Sequence, residues 1–395
     1  MQTKLPRNLS KPIQSTLSHP KLSVVHNAVA KSKGFKKKYV ADEVDKAVGA
    51  SMIFQRPIEK GYLINWKLER NIWDRIFSAE VLKVDPRRTA LCLTRPLFNP
   101  QALDQTTFEV VYEEYGFASL FCCTSAYMGL FNERKKRQPS EFSSSCAHLV
   151  IDSGFSYSHV VPFYDGKICT SAVKRLNVGG KVLTNFLKEV ISYRHWNMME
   201  ETQLINHIKE KLCYVSYDLR KDLEQLKNPN NDIVAQYVLP DYQTNQWGYI
   251  KGEETENMGA VETQILKLGN ERVLIPEILF QPSDIGLEQC GIAETVVESL
   301  KCVPSQLTGI FLGNMMTMGG NTMFKGFSER FTSDLQKMVS SDHKLSVFQP
   351  ENPLTCAFEG ASQFCSVGNY RKVAIPKQMY EEKGHLFCSS VFSVF

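Results

Sequence analysis

Segments with the hydrophobic period of a helix alternate along this chain with short runs typical of strands. Residues 67–77 carry apolar side chains at helical spacing, and residues 89–94 follow as an apolar run that we expect to be a buried strand. A second helical face carries Phe108, Val111 and Tyr112. Such alternation favours an α/β fold in which helices cover the sheets.

The same order recurs in the second half of the chain. Residues 147–162 contain two β-rich runs around a Ser-Gly turn and predict a hairpin. Helical patterns follow at residues 182–192, 200–216 and 292–300, and the apolar segment 309–318 then leads as a strand into a Gly-Gly turn. Because 395 residues exceed one ordinary core, we expect two large domains or one bilobed body.

Two polar stretches are predicted to be surface loops. Residues 133–145 are charged and then serine-rich, which indicates an exposed loop at a boundary between the two halves. Residues 228–260 are polar and rich in Gly and Asn around a strand-like segment at 233–239. Within them, residues 253–256 predict an acidic surface loop.

Positive charge is concentrated at the start of the chain. The first 40 residues hold nine Lys or Arg and no acid, so the rest carries a net charge of −5 although the whole chain has +4. Such a start is compatible with a mitochondrial transit peptide, a nuclear import or nucleic-acid patch, or a solvated tail, and these interpretations stay open. A second basic cluster, Arg134, Lys135, Lys136 and Arg137, lies in the predicted loop and is a candidate nuclear import signal.

Composition excludes several classes of protein. Hydrophobic residues make up 43% and charged residues 22%, which indicates a packed chain and not a disordered scaffold. No apolar run approaches the roughly 20 residues that cross a bilayer, and the first 30 residues lack the apolar core of a secretory signal. The eleven cysteines form no CxxC pair, so we expect reduced thiols in the cytosol or nucleus.

The segment 150–155 is the most informative motif. Asp152 ends a predicted buried strand and precedes Ser153 and Gly154, so its carboxylate lies beside a tight turn whose amides can face an anion. The same carboxylate is a candidate ligand for hydrated Mg²⁺. Taken alone, however, the segment is more simply explained by a hairpin turn whose Asp caps its own backbone.

Two further loops have side chains suited to a nucleotide. Gly319 and Gly320, followed by Asn321, let the backbone pass close to a purine ring. Lys209 and Glu210 lie on a predicted helix, where the carboxylate can bind ribose hydroxyls and the ammonium a nucleobase or phosphate. Each loop also has a simpler interpretation, a plain turn and a solvated helix face. The chain contains no Walker A, GxGxxG, HExxH or GxSxG motif.

In this order and spacing, the motifs resemble the actin superfamily over residues 55–395. The strings that carry the resemblance are Pro57–Trp66, Val150–Gly154 with His159–Pro162, Ile208–Val215, Pro276–Pro282 and Gly319–Met323. Four more strings look like the actin-related protein six subfamily, namely Ile191–Arg194, Tyr237–Asp241, Pro282–Gly286 and Glu351–Pro353.

The resemblance implies the bilobed actin-like α/β fold, a duplicated ribonuclease H-like ATPase fold with four subdomains. A divergent basic start would precede the first outer lobe. The expected bounds are 1–28 for this start, 29–60 for the small outer lobe, 61–140 plus 356–395 for the first core, 141–178 plus 272–355 for the second core, and 179–271 for the second outer lobe.

The resemblance also implies a function. It predicts a nuclear subunit, with the cytoplasm as a second compartment, that acts as a non-catalytic adaptor in a Swr-type chromatin-remodelling complex that exchanges a histone variant into nucleosomes. Expected partners are the motor subunit and a small zinc-finger subunit, with histones or the nucleosome as further candidates and no membrane. The rival hypotheses are a slow actin-type ATPase and a cytoskeletal filament protein.

The resemblance places any residual nucleotide contacts on the second lobe, and no cofactor is required. ATP or ADP with Mg²⁺ is expected to bind weakly at most, with Asp152 as a weak metal ligand. The residues that match the actin site are Asp152, Ser153, Gly154, Lys209, Glu210, Gly319, Gly320, Asn321 and Met323.

Two departures from actin weaken the expected chemistry. Residues 1–28 lack the Asp-Asn/Ser-Gly turn with its phosphate-binding lysine, so either this start has diverged or the first exon of the gene is incorrectly assigned. Ser125 stands where actins place a glutamine near the attacking water, and Phe155 stands where they place a second carboxylate. We therefore expect hydrolysis to be slow or absent.

Two other departures concern partner contacts. Residues 31–57 lack the long loop that actins insert into the next filament subunit, so we do not expect a filament. Residues 243–269 exceed the matching actin loop. This insertion is either a partner-binding segment or a plain surface loop.

Overall fold

The computed structural model describes residues 22–32, 37–46, 52–228, 231–242, 245–252 and 264–395. No helix in this part of the chain is long and apolar enough to cross a membrane. The basic start up to residue 21 and the acidic loop predicted at 253–256 lie outside the described residues.

Short strands occur along the whole described chain. They are β1 (Val29–Ser32), β2 (Lys38–Val40), β3 (Met52–Gln55), β4 (Ile58–Glu59), β5 (Tyr62–Leu63), β6 (Ala90–Thr94), β7 (Ser119–Cys123), β8 (Ala147–Ser153), β9 (Ser158–Tyr164), β10 (Lys167–Ile168), β11 (Lys174–Leu176), β12 (Ala235–Val238), β13 (Tyr249–Ile250), β14 (Ile265–Leu268), β15 (Met315–Met318), β16 (Val347–Phe348) and β17 (Ile375–Pro376).

Helices alternate with these strands, as the sequence predicts. They are α1 (Trp66–Phe77), α2 (Gln101–Glu109), α3 (Ser125–Lys136), α4 (Glu141–Ser144), α5 (Gly180–Arg194), α6 (Thr202–Leu212), α7 (Leu219–Gln225), α8 (Glu271–Glu277), α9 (Ile292–Leu300), α10 (Ser305–Leu312), α11 (Phe327–Met338), α12 (Cys356–Ser366), α13 (Tyr370–Val373) and α14 (Lys377–Phe392). The predictions at 67–77, 182–192, 200–216 and 292–300 are confirmed by α1, α5, α6 and α9, although α6 ends four residues early.

β8 lies at the centre of the largest sheet, whose order is β10-β9-β8-β15-β16 with β11 paired to β9. β8 and β9 are antiparallel, which confirms the predicted hairpin, whereas β8, β15 and β16 run parallel. Leu149 and Ile151 pack in one core cluster with Phe311 of α10, and Val150 packs in another with Leu130 of α3. Helices therefore cover both faces, and the parallel pair brings the carboxyl ends of β8 and β15 to one edge.

A second core sheet has the order β17-β7-β6 within the described residues. Leu120 and Phe121 of the middle strand are fully buried. The strand predicted at 89–94 is present as β6, but it lies at the sheet edge and its side chains are partly exposed, so the expectation of a buried strand is wrong.

Two three-stranded sheets, β2-β1-β3 and β13-β12-β14, are separate from the two core sheets. β13 and β14 fall inside the stretch 243–269 that the sequence suggested to be one long loop, and Leu266 and Leu268 are fully buried. The ends of this stretch are therefore part of a sheet, while residues 253–263 lie outside the described chain. The bounds of the four subdomains stay predictions.

The exposed loop predicted at 133–145 is only partly correct, because residues 135–139 are exposed but most of the stretch is helical. Its first residues form the last turn of α3, where Glu133 is only 4% exposed. Ser140 and Ser143 form a reciprocal capping box at the start of α4, so serines that suggested a linker begin a helix. The apolar segment 309–318 is likewise only partly strand, because α10 extends to Leu312 and β15 begins at Met315.

α3 and α12 pack against each other at very short range. A Cβ built on Gly360 of α12 would lie 2.0 Å from the carbonyl oxygen of Met128 in α3, so the two helices touch backbone to backbone. α3 also packs on β8 and β15. This packing holds the beginning of α3 against the carboxyl end of β8.

Candidate functional site

The candidate site begins where β8 and β15 end side by side. Asp152 pairs with Met318 in the parallel register, and the next residue, Gly319, has a φ of +92°. A Cβ built on Gly319 would lie 2.3 Å from the carbonyl oxygen of Ser153 and 3.0 Å from Oδ1 of Asp152. Both the backbone conformation and the close approach therefore require glycine here.

Asn321 ties the two turns together. Its side-chain amide donates to Oγ of Ser153 at 3.1 Å and to the carbonyl oxygen of Gly154 at 2.7 Å, and the residue is only 4% exposed. Ser153 also shares a 2.7 Å hydrogen bond with Oγ of Ser158 across the hairpin. The Ser-Gly turn and the Gly-Gly turn predicted from separate motifs are thus one hydrogen-bonded unit.

Asp152 is hydrogen-bonded to the first residue of α3. Ser125, the first residue of α3, donates its hydroxyl proton to Oδ2 of Asp152 at 2.6 Å. Burial raises the pKa of the Asp152 carboxyl, and the Ser125 hydrogen bond opposes this rise. The start of α3, with its partial positive charge, adds a further favourable interaction for the carboxylate. Ser125 therefore links α3 to the end of β8.

Phe155 occupies the turn that follows Asp152. Its side chain is 42% exposed, and the guanidinium of Arg56 lies 5.1 Å from the centre of its ring. Arg56 follows β3 in the chain, so this stacking joins the end of β3 to the site. A phenyl ring has no oxygen to offer a cation or a water molecule.

Lys209 and Glu210 have different surroundings although they are neighbours on α6. Lys209 is only 3% exposed, and its ammonium donates to Oδ1 of Asn206 at 2.9 Å and to Oγ1 of Thr184 at 3.0 Å. Burial lowers the pKa of Lys209. Glu210 is exposed and accepts a hydrogen bond of 2.8 Å from Asn206. Lys209 thus contacts protein oxygens, while Glu210 faces solvent.

Sequence reasoning missed the Gly179-Gly180 pair. A Cβ on Gly179 would lie 2.6 Å from the carbonyl oxygen of Phe155, and a Cβ on Gly180 would lie 3.4 Å from both Nζ of Lys209 and Oδ1 of Asn321. The beginning of α5 therefore lies between the turn after β8 and α6. Two glycines between a strand and a helix were the signal that could have revealed it.

The open side of the site carries apolar side chains. Met323 is 54% exposed at the end of the short helical turn that begins at Gly320. Leu354, which precedes α12, is 63% exposed, and one of its methyl groups lies 3.3 Å from a Cβ built on Gly320. Such a surface suits the flat, weakly polar ring of a nucleobase.

His159 lies opposite Asp152 in the β8–β9 pair. It is only 3% exposed, and its Nε2 has no hydrogen-bond partner within the described residues. Burial, and secondarily the positive charge of Arg175, lowers the pKa of His159 to about 4. The ring is therefore neutral at pH 7.

Few oxygen ligands for a metal ion surround Asp152 among the described residues. In the portion of the chain that the structure describes, no group of three or more His, Cys, Asp or Glu side chains is arranged to hold a metal ion. Mg²⁺ prefers an octahedron of oxygens, of which Asp152 supplies at most one carboxylate that is already bonded to Ser125.

The candidate import cluster lies away from this site, at the end of α3 and not in a loop. Arg134 donates to the carbonyl oxygen of Ser143 at 3.2 Å. Lys136 pairs with Glu359 at 2.6 Å, and Arg137 stacks 3.2 Å from the centre of the Phe348 ring. The fourth member, Lys135, is exposed.

Comparison with known proteins agrees with this architecture. The family model described as Actin matches residues 15–392. The chain is 37% identical to Actin-like protein ARP6 of Cryptococcus neoformans var. neoformans serotype D (strain B-3501A), over 94% of this chain and 80% of that protein. It is 35% identical to Actin-related protein 6 of Dictyostelium discoideum, over 93% and 89% of the two chains.

A third relative shows the same similarity in an animal. The chain is 33% identical to Actin-related protein 6 of Drosophila melanogaster, over 91% of this chain and 92% of the relative. The matches extend over 80% or more of both partners. The chain therefore belongs to the actin family and, within it, to the actin-related protein 6 group.

Proposed function

We propose that this chain is a non-catalytic nuclear subunit that acts as a structural adaptor in a Swr-type chromatin-remodelling complex, which exchanges a histone variant into nucleosomes. The observation that carries the non-catalytic part is the 2.6 Å hydrogen bond from Ser125 to Asp152. This hydrogen bond uses the carboxylate at the end of β8 to join β8 to the beginning of α3. Membership of the actin-related protein 6 group supports the adaptor part.

Slow or absent hydrolysis follows from the side chains at the site. Phosphoryl transfer depends on positioned water and on groups that stabilise developing charge. Ser125 is too short to position water while it bonds Asp152, and Phe155 presents a ring in contact with Arg56. Losing one preorganised electrostatic group costs about 3 kcal/mol of transition-state stabilisation. Two such losses would leave turnover near background.

Residual nucleotide binding, if retained, would depend on the second lobe. His159 and Lys209 are both buried, so the contacts that we propose for a ligand are Glu210 and the backbone of the glycine turns. We expect these groups to contact the nucleoside and not the γ-phosphate. Weak binding with little preference between ATP and ADP is therefore part of the proposal, and no cofactor is required.

Nuclear localisation is proposed from the basic clusters and from the adaptor role. Lys135 is exposed at the end of α3, whereas Arg134, Lys136 and Arg137 each contact neighbouring residues. The alternative route is import into the nucleus while the chain is bound to partner proteins. Staining of a tagged full-length chain in cells tests the compartment. Strictly mitochondrial staining would contradict the proposal.

Co-purification tests the adaptor role itself. A tagged full-length chain would be isolated from nuclear extract, separated by gel filtration, and its co-eluting proteins identified by mass spectrometry. We expect a remodeller motor subunit and a small zinc-finger protein in one large complex. The matched control is the Asp152→Asn variant, which should co-purify with the same partners because its amide oxygen still accepts the Ser125 hydrogen bond. Elution of the chain without any partner protein, or its sedimentation as filaments, would overturn the proposal.

A further inference from the structure

Three cysteine thiols meet beside the β17-β7-β6 sheet. Cys92 lies on β6 and Cys123 on β7, whereas Cys365 lies near the end of α12. The thiol of Cys92 shares hydrogen bonds with the thiols of both Cys123 and Cys365. All three thiols are free in this structure, so a covalent bond between any two of them would be an added modification.

The packing of α12 on the sheet explains why Cys365 reaches Cys92. In the parallel register of β6 and β7, Cys92 pairs with Phe121. The ring of Phe121 stacks on that of Phe364, with a centroid distance of 5.2 Å and an interplanar angle of 13°. Phe364 is followed directly by Cys365, so this stacking brings the end of α12 to the strand position of Cys92.

The segment that follows α12 is also fastened to β6. The hydroxyl of Tyr370 donates to the carbonyl oxygen of Leu91 at 3.1 Å and shares a hydrogen bond of 3.0 Å with Oγ of Ser119 on β7. Leu91 is the neighbour of Cys92 in the strand, so contacts before and after Cys365 hold this part of the chain against β6. Packing of the surrounding residues therefore holds the two thiols near each other.

The three thiols differ in their access to solvent. Cys365 is exposed and Cys92 is partly exposed, whereas Cys123 is fully buried. A small molecule in solution can therefore reach Cys365 first, and Cys92 is the thiol that lies beside it.

Strand geometry favours Cys365 over Cys123 as the partner of Cys92. Cys123 pairs with Thr94, which lies two residues further along β6 than Cys92. Adjacent strands lie about 4.8 Å apart and rise about 3.3 Å per residue, so such diagonal Cα atoms are about 8 Å apart. A disulfide requires a Cα separation of about 4.4 to 6.8 Å. Cys92 and Cys123 are therefore too far apart to be bridged without movement of the backbone.

We propose that Cys92 and Cys365 form a reversible disulfide when the protein meets a low-molecular-weight disulfide such as glutathione disulfide. The Cys365 thiolate attacks this disulfide, which gives a mixed disulfide and one reduced glutathione. The Cys92 thiolate then attacks the Cys365 sulfur, so the protein disulfide forms and a second reduced glutathione leaves. The protein pair loses two electrons, glutathione disulfide gains them, and the two thiol protons end on the two glutathiones.

The disulfide would tie an edge strand to a helix of the core. Within the described residues β6 has no strand on its outer side, and α12 packs backbone to backbone on α3. The two cysteines are 273 residues apart, so the bond would close a long loop and restrict the unfolded chain. We therefore expect the oxidised protein to melt about 5 °C higher than the reduced protein. The inference does not depend on the adaptor role or on nucleotide binding.

The exchange is best measured at equilibrium. The pKa of the Cys365 thiol is raised, first by its hydrogen bond with Cys92 and then by burial. Since the thiolate is the nucleophile, exchange at this thiol is slow at neutral pH. The reduced full-length protein would therefore be equilibrated in glutathione redox buffers at pH 8, quenched with acid and alkylated.

Peptide mapping by mass spectrometry then quantifies the peptide that joins Cys92 to Cys365. A neighbouring thiol displaces glutathione at a high effective concentration. We therefore expect more than half of the pair to be joined at a glutathione ratio that leaves the exposed Cys146 and Cys302 largely reduced. Glutathione on Cys365 without the joined peptide, or a link from Cys92 to Cys123, would overturn the proposal.

Two matched variants locate the bond. Cys365→Ser should abolish both the joined peptide and the rise in melting temperature on oxidation. Cys302→Ser, at another exposed cysteine, should preserve both. Dithiothreitol should return the oxidised parent to the melting temperature of the reduced protein. An oxidised parent that melts no higher than the reduced protein, or an equal rise in Cys365→Ser, would contradict the assignment to this pair.

Discussion

At the scale of single residues, the site consists of side chains bonded to other protein groups. The positions of Asp152 and Lys209 could be predicted because each lies in a short recognisable string. Their partners could not, since Ser125 is 27 residues from Asp152 and Thr184 is 25 residues from Lys209. Only the packing of α3 on β8 and of α5 on α6 brings these groups into contact.

Replacing Asp152 with Asn should stabilise the protein at pH 7 by about 1 kcal/mol. The amide oxygen still accepts the Ser125 hydrogen bond, and the cost of partly desolvating a charge is removed. Because the pKa of Asp152 is raised in the folded state, the folded protein holds this proton more tightly than the unfolded chain. The stability of the parent protein relative to the variant should therefore fall as the pH rises through the raised pKa.

Urea unfolding of both proteins at several pH values between 4 and 8 measures this difference. Ser305→Ala, at the first position of α10 and exposed, serves as a substitution for which no such pH dependence is expected. A variant that is less stable than the parent at pH 7 would mean that the Asp152 charge is favourable in the fold.

Replacing His159 with Gln should reduce the acid sensitivity of the protein. The pKa of His159 is lowered to about 4, so between pH 6.5 and 4 the unfolded chain takes up a proton that the folded state refuses. The parent therefore loses stability as the pH falls through this window, by up to about 3 kcal/mol from this residue. Unfolding curves of His159→Gln should be flatter, whereas those of His195→Gln, at an exposed histidine, should follow the parent. Equal acid sensitivity of His159→Gln and the parent would contradict the account.

At the scale of elements, hydrophobic period predicted the long helices and the β8–β9 hairpin because each buries one regular face. It failed at 133–145, where charge and serine suggested a loop. In the structure Glu133 is buried and Ser140 caps α4. Serine is common both in linkers and at the first position of a helix, so the sequence pattern could not distinguish the two. The Gly179-Gly180 pair was missed because its role depends on the turn after β8, which is distant in sequence.

Gly319, in the turn after β15, should tolerate no larger side chain. Gly319→Ala places a Cβ 2.3 Å from the Ser153 carbonyl oxygen at a φ of +92°, so we expect a loss of about 2 to 4 kcal/mol in the free energy of unfolding. Gly286→Ala is the matched control, because Gly286 has a φ of +76° but no heavy atom within 4 Å of a built Cβ. It should cost about 1 kcal/mol. Similar losses for both variants in urea unfolding would show that the close approach to Ser153 is not the cause.

At the scale of the whole molecule, the chain belongs to the actin family, and we propose that its site favours a nucleoside over a metal-bound phosphate. Membership of the actin family could be predicted from the strings around β8, α6 and β15, because these form the walls of the site. Whether the cleft binds a nucleotide depends on contacts from both halves. Phe155 and Ser125 alter the contacts that would act on the phosphates.

A thermal-shift titration should therefore show small and similar effects of ATP and ADP. A ligand that binds only the folded state raises the melting temperature of the protein. The stabilisation grows with the logarithm of the ratio of ligand concentration to dissociation constant. Glu210→Ala should reduce both shifts. Glu224→Ala, at an exposed position on α7, should reduce neither. A large shift with ATP and none with ADP would indicate a γ-phosphate clamp in this protein.

The rate of ATP hydrolysis by the purified full-length chain tests the central claim most directly. With Mg²⁺ present, we expect a rate at or near background, because Ser125 is bonded to Asp152 and Phe155 supplies no oxygen for a metal shell. The Asp152→Ala variant should give the same background rate. A turnover equal to that of actin, lost on Asp152→Ala, would contradict the claim that this actin-family chain acts through its shape and its partners.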